Sequence, residues 1–592
     1  MSGPPLPDRI GRGFAGKWYA LGTMTPSSMP RAVPGMRRFV RELGPAHWAV
    51  LVLLAVAAYV GWREFWFLTD DAHITFRYIS NHMRGWGYTW NPPPFRPVEG
   101  YSNFLWMVLL EGVWRVTGVE PPDAANAVSL MLSYGTLALG FAWVMWMRLP
   151  PALDRYRFAL AVAVLVGVLS NRTFLAWMSS GLETALFIFC TTLWVVSTAE
   201  LGRSRGPRAL AVSCAAASFC ALTRPDGQLM VLASGLLVLR CLVVEPPRRR
   251  WVLAGLPLLL SVAHVLWRRA YYGEWVPNTY FAKHVAAWPE SGLRYALSFV
   301  LEYALWVWLG VGLAASVVLL RRLGWRGAAR AAWSSPGSAA VVAVLAAHFA
   351  YYTLIIGGDH FEYRVYAHLV LPLMVSFVGF LAWMEAPPRA AAALGAVFLL
   401  LSLPLPWVHY ARTRELTTRA QTQFLIQPVA DAFPAGVRSY AALFDQQQAW
   451  LIRHFVGMRH QEHKVFYEEQ LRSWPPREVG EQLKFDDPWT RPVLVWMTVG
   501  VPGWVMPEVA ILDVFGLNDR VVARTPLDAR QLENRTMAHD RRPPRGYFEC
   551  FEPNMERQPD QKLSLARRSE PLTDERIREC EARFDPGFHP LL

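Results

Sequence analysis

The sequence predicts a mainly α protein, a polytopic membrane helix bundle of about eleven spans with a C-terminal extracytoplasmic α/β domain. Three observations predict it. Apolar runs of about 20 residues, the length that crosses a bilayer as helix, recur from residue 47 to residue 410. Charged residues form only 18% of the chain, where soluble domains average about 25%. Lysine and arginine also alternate from one inter-run loop to the next.

Residues 1–45, rich in Pro, Gly and Arg, read as a disordered cytoplasmic tail. Within it, Gly11-Arg-Gly-Phe-Ala-Gly16-Lys17 approaches a phosphate-binding loop. Trp18 stands where a magnesium-holding Ser or Thr belongs, and no strand precedes it, so that reading is excluded. The apolar runs are 47–65, 124–147, 158–172, 182–199, 209–223, 227–244, 251–267, 297–320, 338–356, 366–384 and 390–409. The first is too long and too late for a cleaved signal.

Arg31, Arg37, Arg38 and Arg41 precede the first run and place the N-terminus in the cytoplasm. Arg148, Arg155 and Arg157 then fall on that side. So do Arg203, Arg205 and Arg208, Arg248 to Arg250, and Arg321, Arg322, Arg326 and Arg330. The opposite loops hold Asp70, Asp71, Glu99, Glu183, Asp226, Glu274 and Asp359. An odd number of spans leaves residues 411–592 outside, after a transmembrane domain at 46–410. In the outer domain, residues 437–445, 491–500 and 508–517 read as buried strands and 447–458 as a helix.

The net charge of +13 does not come from the outer domain, which holds 25 Lys+Arg against 26 Asp+Glu. Its source is the cytoplasmic loops, so it signals topology and implies no nucleic-acid partner. Cys190, Cys214, Cys220 and Cys241 lie in apolar runs and read as buried thiols. Cys550 and Cys580 stand in the polar outer region and are a candidate disulfide there.

The chemistry is expected in the first outer loop, residues 66–123. Asp70 and Asp71 open it at the end of the first span. Arg77, Asn81, Trp86, Tyr88, Trp90, Asn91, Glu99 and Tyr101 follow. A carboxylate in an outward pocket can act as general base on an acceptor hydroxyl. Aromatic rings offer stacking faces to sugars. If the donor carries its sugar on a phosphate, one base and a few cations suffice. Arg224, Lys283 and Arg364 are the candidate cations from other outer loops.

With these residues in view, the chain resembles the GT-C superfamily of integral-membrane glycosyltransferases, which take sugars from polyprenyl-phosphate donors. Within it the chain is most similar to the bacterial terminal β-(1→2)-arabinofuranosyltransferase family. The resemblance rests on Asp70-Asp71-Ala-x-Ile-Thr-x-Arg77, Gly85-x-Gly87, Trp90-Asn91-Pro92 and Glu99-Gly-Tyr-Ser-Asn-Phe-Leu-Trp106. It continues through "SSGLETALF", "LTRPDG", "YYGEWVPNTYFAKH", "GGDHFEYR" and "ILDVFGLNDRVVAR".

The resemblance implies that one aspartate of the pair is the base, with Asp71 favoured over Asp70. It implies donor-phosphate contacts from Arg77, Lys283, Arg364 and Arg224. Acceptor or sugar contacts are expected from Glu99, Tyr101, Trp90, Glu183, Asp359 and His360. The implied partners are a polyprenyl-phosphate sugar donor, a cell-envelope glycan or glycolipid acceptor and the bilayer. The implied location is the bacterial inner membrane. Arabinosyl members read Tyr-Thr-His-Pro-Leu-Trp where this chain has Tyr101-Ser-Asn-Phe-Leu-Trp106, so the motif does not name the sugar.

No metal site is assigned, and no cofactor is implied with certainty. A divalent cation on Asp70, Asp71 and His73 is the option kept open, although three ligands on one helix end converge poorly. Two other functional classes stand beside the transferase. One is a lipid-linked glycan transporter or flippase, which would place ionisable groups at mid-membrane. The other is a non-catalytic glycan-binding membrane protein.

Overall fold

The computed structural model describes residues 43–204, 206–283, 286–527, 531, 533–558 and 562–585. The expected tail up to residue 42 lies outside the described residues, as do Arg205 and His284. The chain is mostly helical.

Among the described residues, nine helices are long and apolar enough to cross a membrane: Pro45–Glu64, Pro121–Trp146, Thr184–Leu201, Pro225–Val244, Arg248–Tyr272, Leu305–Arg330, Pro336–Ile356, Arg364–Trp383 and Pro388–Thr413. Two shorter apolar helices, Arg157–Leu169 and Pro207–Thr223, take the places of the third and fifth expected runs. Proline opens many of these helices, including those at Pro45, Pro121, Pro207, Pro336 and Pro388. Its missing N–H costs nothing in a first turn. Helix Pro45–Glu64 buries only Ala58 and exposes Val52, Leu53, Val56 and Val60. An apolar surface of that kind belongs in lipid, and the chain is a multi-pass membrane protein.

The expected run at 297–320 divides. Helix Pro289–Glu302 ends at Tyr303, and the span begins at Leu305 after Ala304, whose φ is +47°. The first piece carries Glu290, Arg294 and Glu302 and packs on helix Ala435–Arg453 of the C-terminal region. Its charges keep it out of the apolar layer.

In the C-terminal region two expected strands form. Val493–Trp496 pairs in parallel with Ala510–Asp513, in the register Val493 to Ala510. The short helix Gly500–Val505 lies between them in sequence. The third expected strand, 437–445, is instead part of helix Ala435–Arg453. Its apolar residues Val437, Tyr440, Ala441 and Phe444 fall at i, i+3, i+4 and i+7, which is helical spacing. The expected helix at 447–458 continues this same helix through Arg453. Cys550 and Cys580 form a disulfide between helices Tyr547–Cys550 and Asp574–Phe584. The four other cysteines are free and buried.

The C-terminal region shares its core with the bundle. One cluster of buried hydrophobics contains Ala58, Phe65 and Trp106 together with Leu451, Trp504, Ile511 and Met555. This junction positions the site.

Candidate functional site

Helix Asp70–Met83 begins where the first span ends. Thr69 caps it by accepting from the Ala72 N–H at 3.2 Å and is anchored by donating to the Ser180 carbonyl. The helix is wedged between the bundle and the C-terminal region. Of residues 70–81, every one except Asp71 is buried.

The two aspartates therefore differ. Asp70 turns inward and accepts from the backbone N–H groups of Gly500, at 3.1 Å, and Val501, at 2.8 Å. It caps helix Gly500–Val505. Burial pushes its pKa up to about 7, opposed by those two hydrogen bonds. No donor among the described residues is hydrogen-bonded to the Asp71 carboxylate, whose charge acts on Lys283 and His539.

Lys283 ends the short helix Asn278–Lys283. It is exposed, yet the surrounding protein depresses its pKa, and the charge of Asp71 is the largest influence opposing that shift. Asp71 and Lys283 thus lie close enough for the charge of one to act on the other. The ammonium forms no ion pair among the described residues. Arg364, Asp359 and Arg224 act on the same lysine. Arg364 donates through Nε and Nη2 to Asp359, at 2.8 and 3.3 Å, and lies over the Phe361 ring. Its Nη1 has no protein acceptor among the described residues.

Arg224 is more fully engaged. It donates to Glu183 at 3.0 Å, to both oxygens of Asp226 and to the Tyr352 hydroxyl at 2.8 Å. Glu183 also accepts from Asn103, and Asp226 from Tyr352 with His348 at 2.8 Å. Glu183 and Asp226 thus fix the orientation of the Arg224 guanidinium. The structure brings together Asp71, Lys283, Asp359, His360, Arg364, Arg224 and Glu183 from separate loops.

Besides Asp70, four expected site residues are engaged elsewhere in the fold. Arg77 is fully buried and donates to four backbone carbonyls: Trp90 at 2.7 Å, Gly503 at 3.1 Å, Met506 at 3.4 Å and Val509 at 2.7 Å. It has no face left for a donor phosphate. Trp90 stacks on Arg77 and donates to the Ile511 carbonyl at 2.9 Å, so its ring is core. Glu99 is buried in an ion pair with Arg268, at 2.5 and 3.1 Å. Tyr101 is buried against Tyr78, with its hydroxyl on that of Tyr272. These side chains hold the loop instead of offering it to a ligand.

The cation option at Asp70, Asp71 and His73 also fails on geometry. Asp70 points to Gly500, while His73 packs on Tyr467 with Nδ1 3.0 Å from the Thr69 carbonyl. No group of three His, Cys, Asp or Glu side chains converges on a metal position among the described residues.

One neighbour of His360 was not expected. His539, in the C-terminal region, packs beside His360 with ring centroids 5.1 Å apart. Its Nδ1 lies 2.6 Å from the Met537 carbonyl, and that of His360 lies 2.9 Å from the Phe455 carbonyl. Each carbonyl needs a donor, so both rings carry the proton on Nδ1 and present Nε2 as an acceptor. Burial depresses both pKa values to about 4, which keeps the rings neutral. Nothing near residue 539 in sequence signals this; only the fold brings it beside His360.

No family model matches the chain. Over 385 residues it is 29% identical to a terminal β-(1→2)-arabinofuranosyltransferase of Corynebacterium glutamicum, covering 59% of this chain and 52% of that protein. Over 284 residues it is 29% identical to the protein of the same name in Mycobacterium tuberculosis, covering 46% and 44%. The chain spans about half the length of the curated relatives it matches. Among solved structures, ArnT from Cupriavidus metallidurans bound to undecaprenyl phosphate gives a TM-score of 0.49 at 13% identity, over 79% of this chain and 86% of that one. Arabinosyltransferase EmbB from Mycobacterium smegmatis gives 0.38 at 14% identity, over 76% and 45%. The resemblance carried by the motifs is thus also present in the wider sequence, which is similar to that of the terminal β-(1→2)-arabinofuranosyltransferases.

Proposed function

We propose that the chain is a membrane glycosyltransferase that moves a sugar, such as a pentofuranose, from a polyprenyl-phosphate donor to a cell-envelope glycan or glycolipid. The reaction faces the outer side of the bacterial inner membrane. Residues 46–410 form the transferase body, and 411–592 complete the site from outside. One observation carries this reading. Asp71 is the one accessible residue among residues 70–81 of an otherwise buried helix stretch, and its charge acts on Lys283, which has no ion-pair partner among the described residues.

Asp71 takes the proton of the acceptor hydroxyl as that oxygen bonds to the anomeric carbon. The bond from that carbon to the phosphate oxygen breaks, and polyprenyl phosphate leaves with the electron pair. Lys283 and the open edge of Arg364 neutralise the phosphate. Asp359 and Glu183 act by orienting Arg364 and Arg224. His360 lines the acceptor side. The aligned relatives, which are named for arabinofuranosyl transfer, support a furanose donor.

The test uses the purified chain, polyprenyl-phosphate sugars and a glycan acceptor. Loss of a positioned base costs about 10²- to 10⁴-fold in rate. Asp71→Asn is expected to lose activity in that range while remaining folded. Wild-type transfer by Asp71→Asn overturns the assignment, and substrate flux without covalent product would replace it with transport.

A further inference from the structure

Helices Gln228–Val244 and Arg248–Gly255 form a hairpin, and a groove of about 460 Å³ runs between them and on to Leu259. Its walls include Leu232, Gly235, Leu236, Leu239, Leu242 and Val252, and every residue lining it is apolar. A Cβ on Gly235 would meet nothing within 4 Å, so the missing side chain is part of the hollow.

The end of the groove at Leu242 and Val252 meets the consecutive Arg248, Arg249 and Arg250. Arg248 and Arg249 stand four and three residues before Val252, which puts them on the groove face of the helix. Arg248 donates from Nε to the carbonyl of the groove residue Leu242 at 3.2 Å, which fixes its guanidinium at the mouth. Arg249 is exposed and has no protein partner among the described residues. Arg250 turns aside, stacking on Trp251 and facing Glu245 at 3.7 Å.

We propose that this groove and its two arginines bind an anionic phospholipid of the bilayer, with an acyl chain in the hollow and the headgroup phosphate on Arg248 and Arg249. An apolar channel that opens onto unpaired guanidinium groups at a membrane boundary matches that molecule at both ends. A second protein chain would have to bring its own carboxylates to the same two positions.

The test is native mass spectrometry of the full chain released from detergent with equal amounts of phosphatidylglycerol and phosphatidylcholine of matched acyl chains. Phosphatidylglycerol is expected to be retained preferentially. Arg248→Gln and Arg249→Gln should each reduce that preference, by about fivefold per arginine. Gly235→Leu, which has room for its side chain, should lower retention of both lipids without loss of thermal stability. Equal retention of the two lipids by the wild-type chain overturns the proposal. So does unchanged retention in all three variants, or a dimer that Gly235→Leu dissociates.

Discussion

Arg77→Met separates a structural reading of the first outer loop from a catalytic one. The guanidinium serves four carbonyls, and the loss at each can be judged separately. The Trp90 carbonyl keeps the Asn81 side-chain amide at 3.0 Å, and the Met506 carbonyl keeps the Val509 N–H at 3.2 Å. The Gly503 and Val509 carbonyls have Arg77 as their sole hydrogen-bond donor among the described residues. A buried acceptor left unsatisfied costs about 1–3 kcal/mol, so the two together cost about 2–6 kcal/mol. The contact with Trp90, 4.5 Å from the ring centroid, contributes up to about 2 kcal/mol more when desolvated.

All of this loss falls on the junction between helix Asp70–Met83 and residues 503–511. The assay is thermal unfolding of the purified chain in detergent, together with limited trypsin digestion. Arg77→Met should melt well below wild type and release C-terminal fragments early. Arg77→Lys, which restores one charge and part of the hydrogen bonding, should fall between them. Molecules that stay folded should keep the wild-type KM for the donor. An Arg77→Met protein with wild-type melting and protease resistance but a raised donor KM would refute the reasoning.

Lys283→Ala should raise the donor KM by about 10- to 100-fold, the value of a lost charge-assisted hydrogen bond, and Lys283→Arg should recover part of it in steady-state kinetics. Asp70→Ala should lower stability by about 1–2 kcal/mol, because it removes the cap of helix Gly500–Val505, and calorimetry checks this. With its folded pKa raised to about 7, Asp70 adds stability that is complete below pH 4 and is lost as pH rises toward 7, so melting of Asp70→Asn should depend less on pH across that window. His539 has the opposite sign: its pKa is depressed to about 4, so its contribution is present above pH 6.5 and lost as pH falls toward 4, and His539→Gln should flatten acid destabilisation there. Cys580→Ser opens a loop of 30 residues, a loss of about 3–4 kcal/mol in the chain-entropy picture, which should appear as earlier proteolysis of the C-terminal region.

The membrane helices were legible because bilayer thickness imposes a length on composition: nine of the eleven runs overlap helices long and apolar enough to span, two overlap shorter apolar helices, and only the run at 297–320 divides. What escaped was set by distant chain. Asp70 and Asp71 are equivalent in sequence, and their surroundings differ because two N–H groups some 430 residues away hold Asp70. The polar residues after them resembled ligands because a polar residue in an outer loop ordinarily faces water. Here Trp90 and Asn91 extend hydrogen bonds to both sides of Ile511, as donor to its carbonyl and acceptor from its N–H. Arg77 holds the turn before that strand, and Glu99 is fastened to Arg268 on a membrane helix. Much of the motif that carries the family resemblance in this loop therefore binds the C-terminal region and the bundle to each other. It follows that the C-terminal region supports the helix that carries Asp71: without Gly500 and Val501 the Asp70 carboxylate loses both of its backbone donors, and without Ile511 the loop after that helix loses the partner of Trp90 and Asn91. A motif that survives in sequence would then mark an intact junction as much as an intact active site.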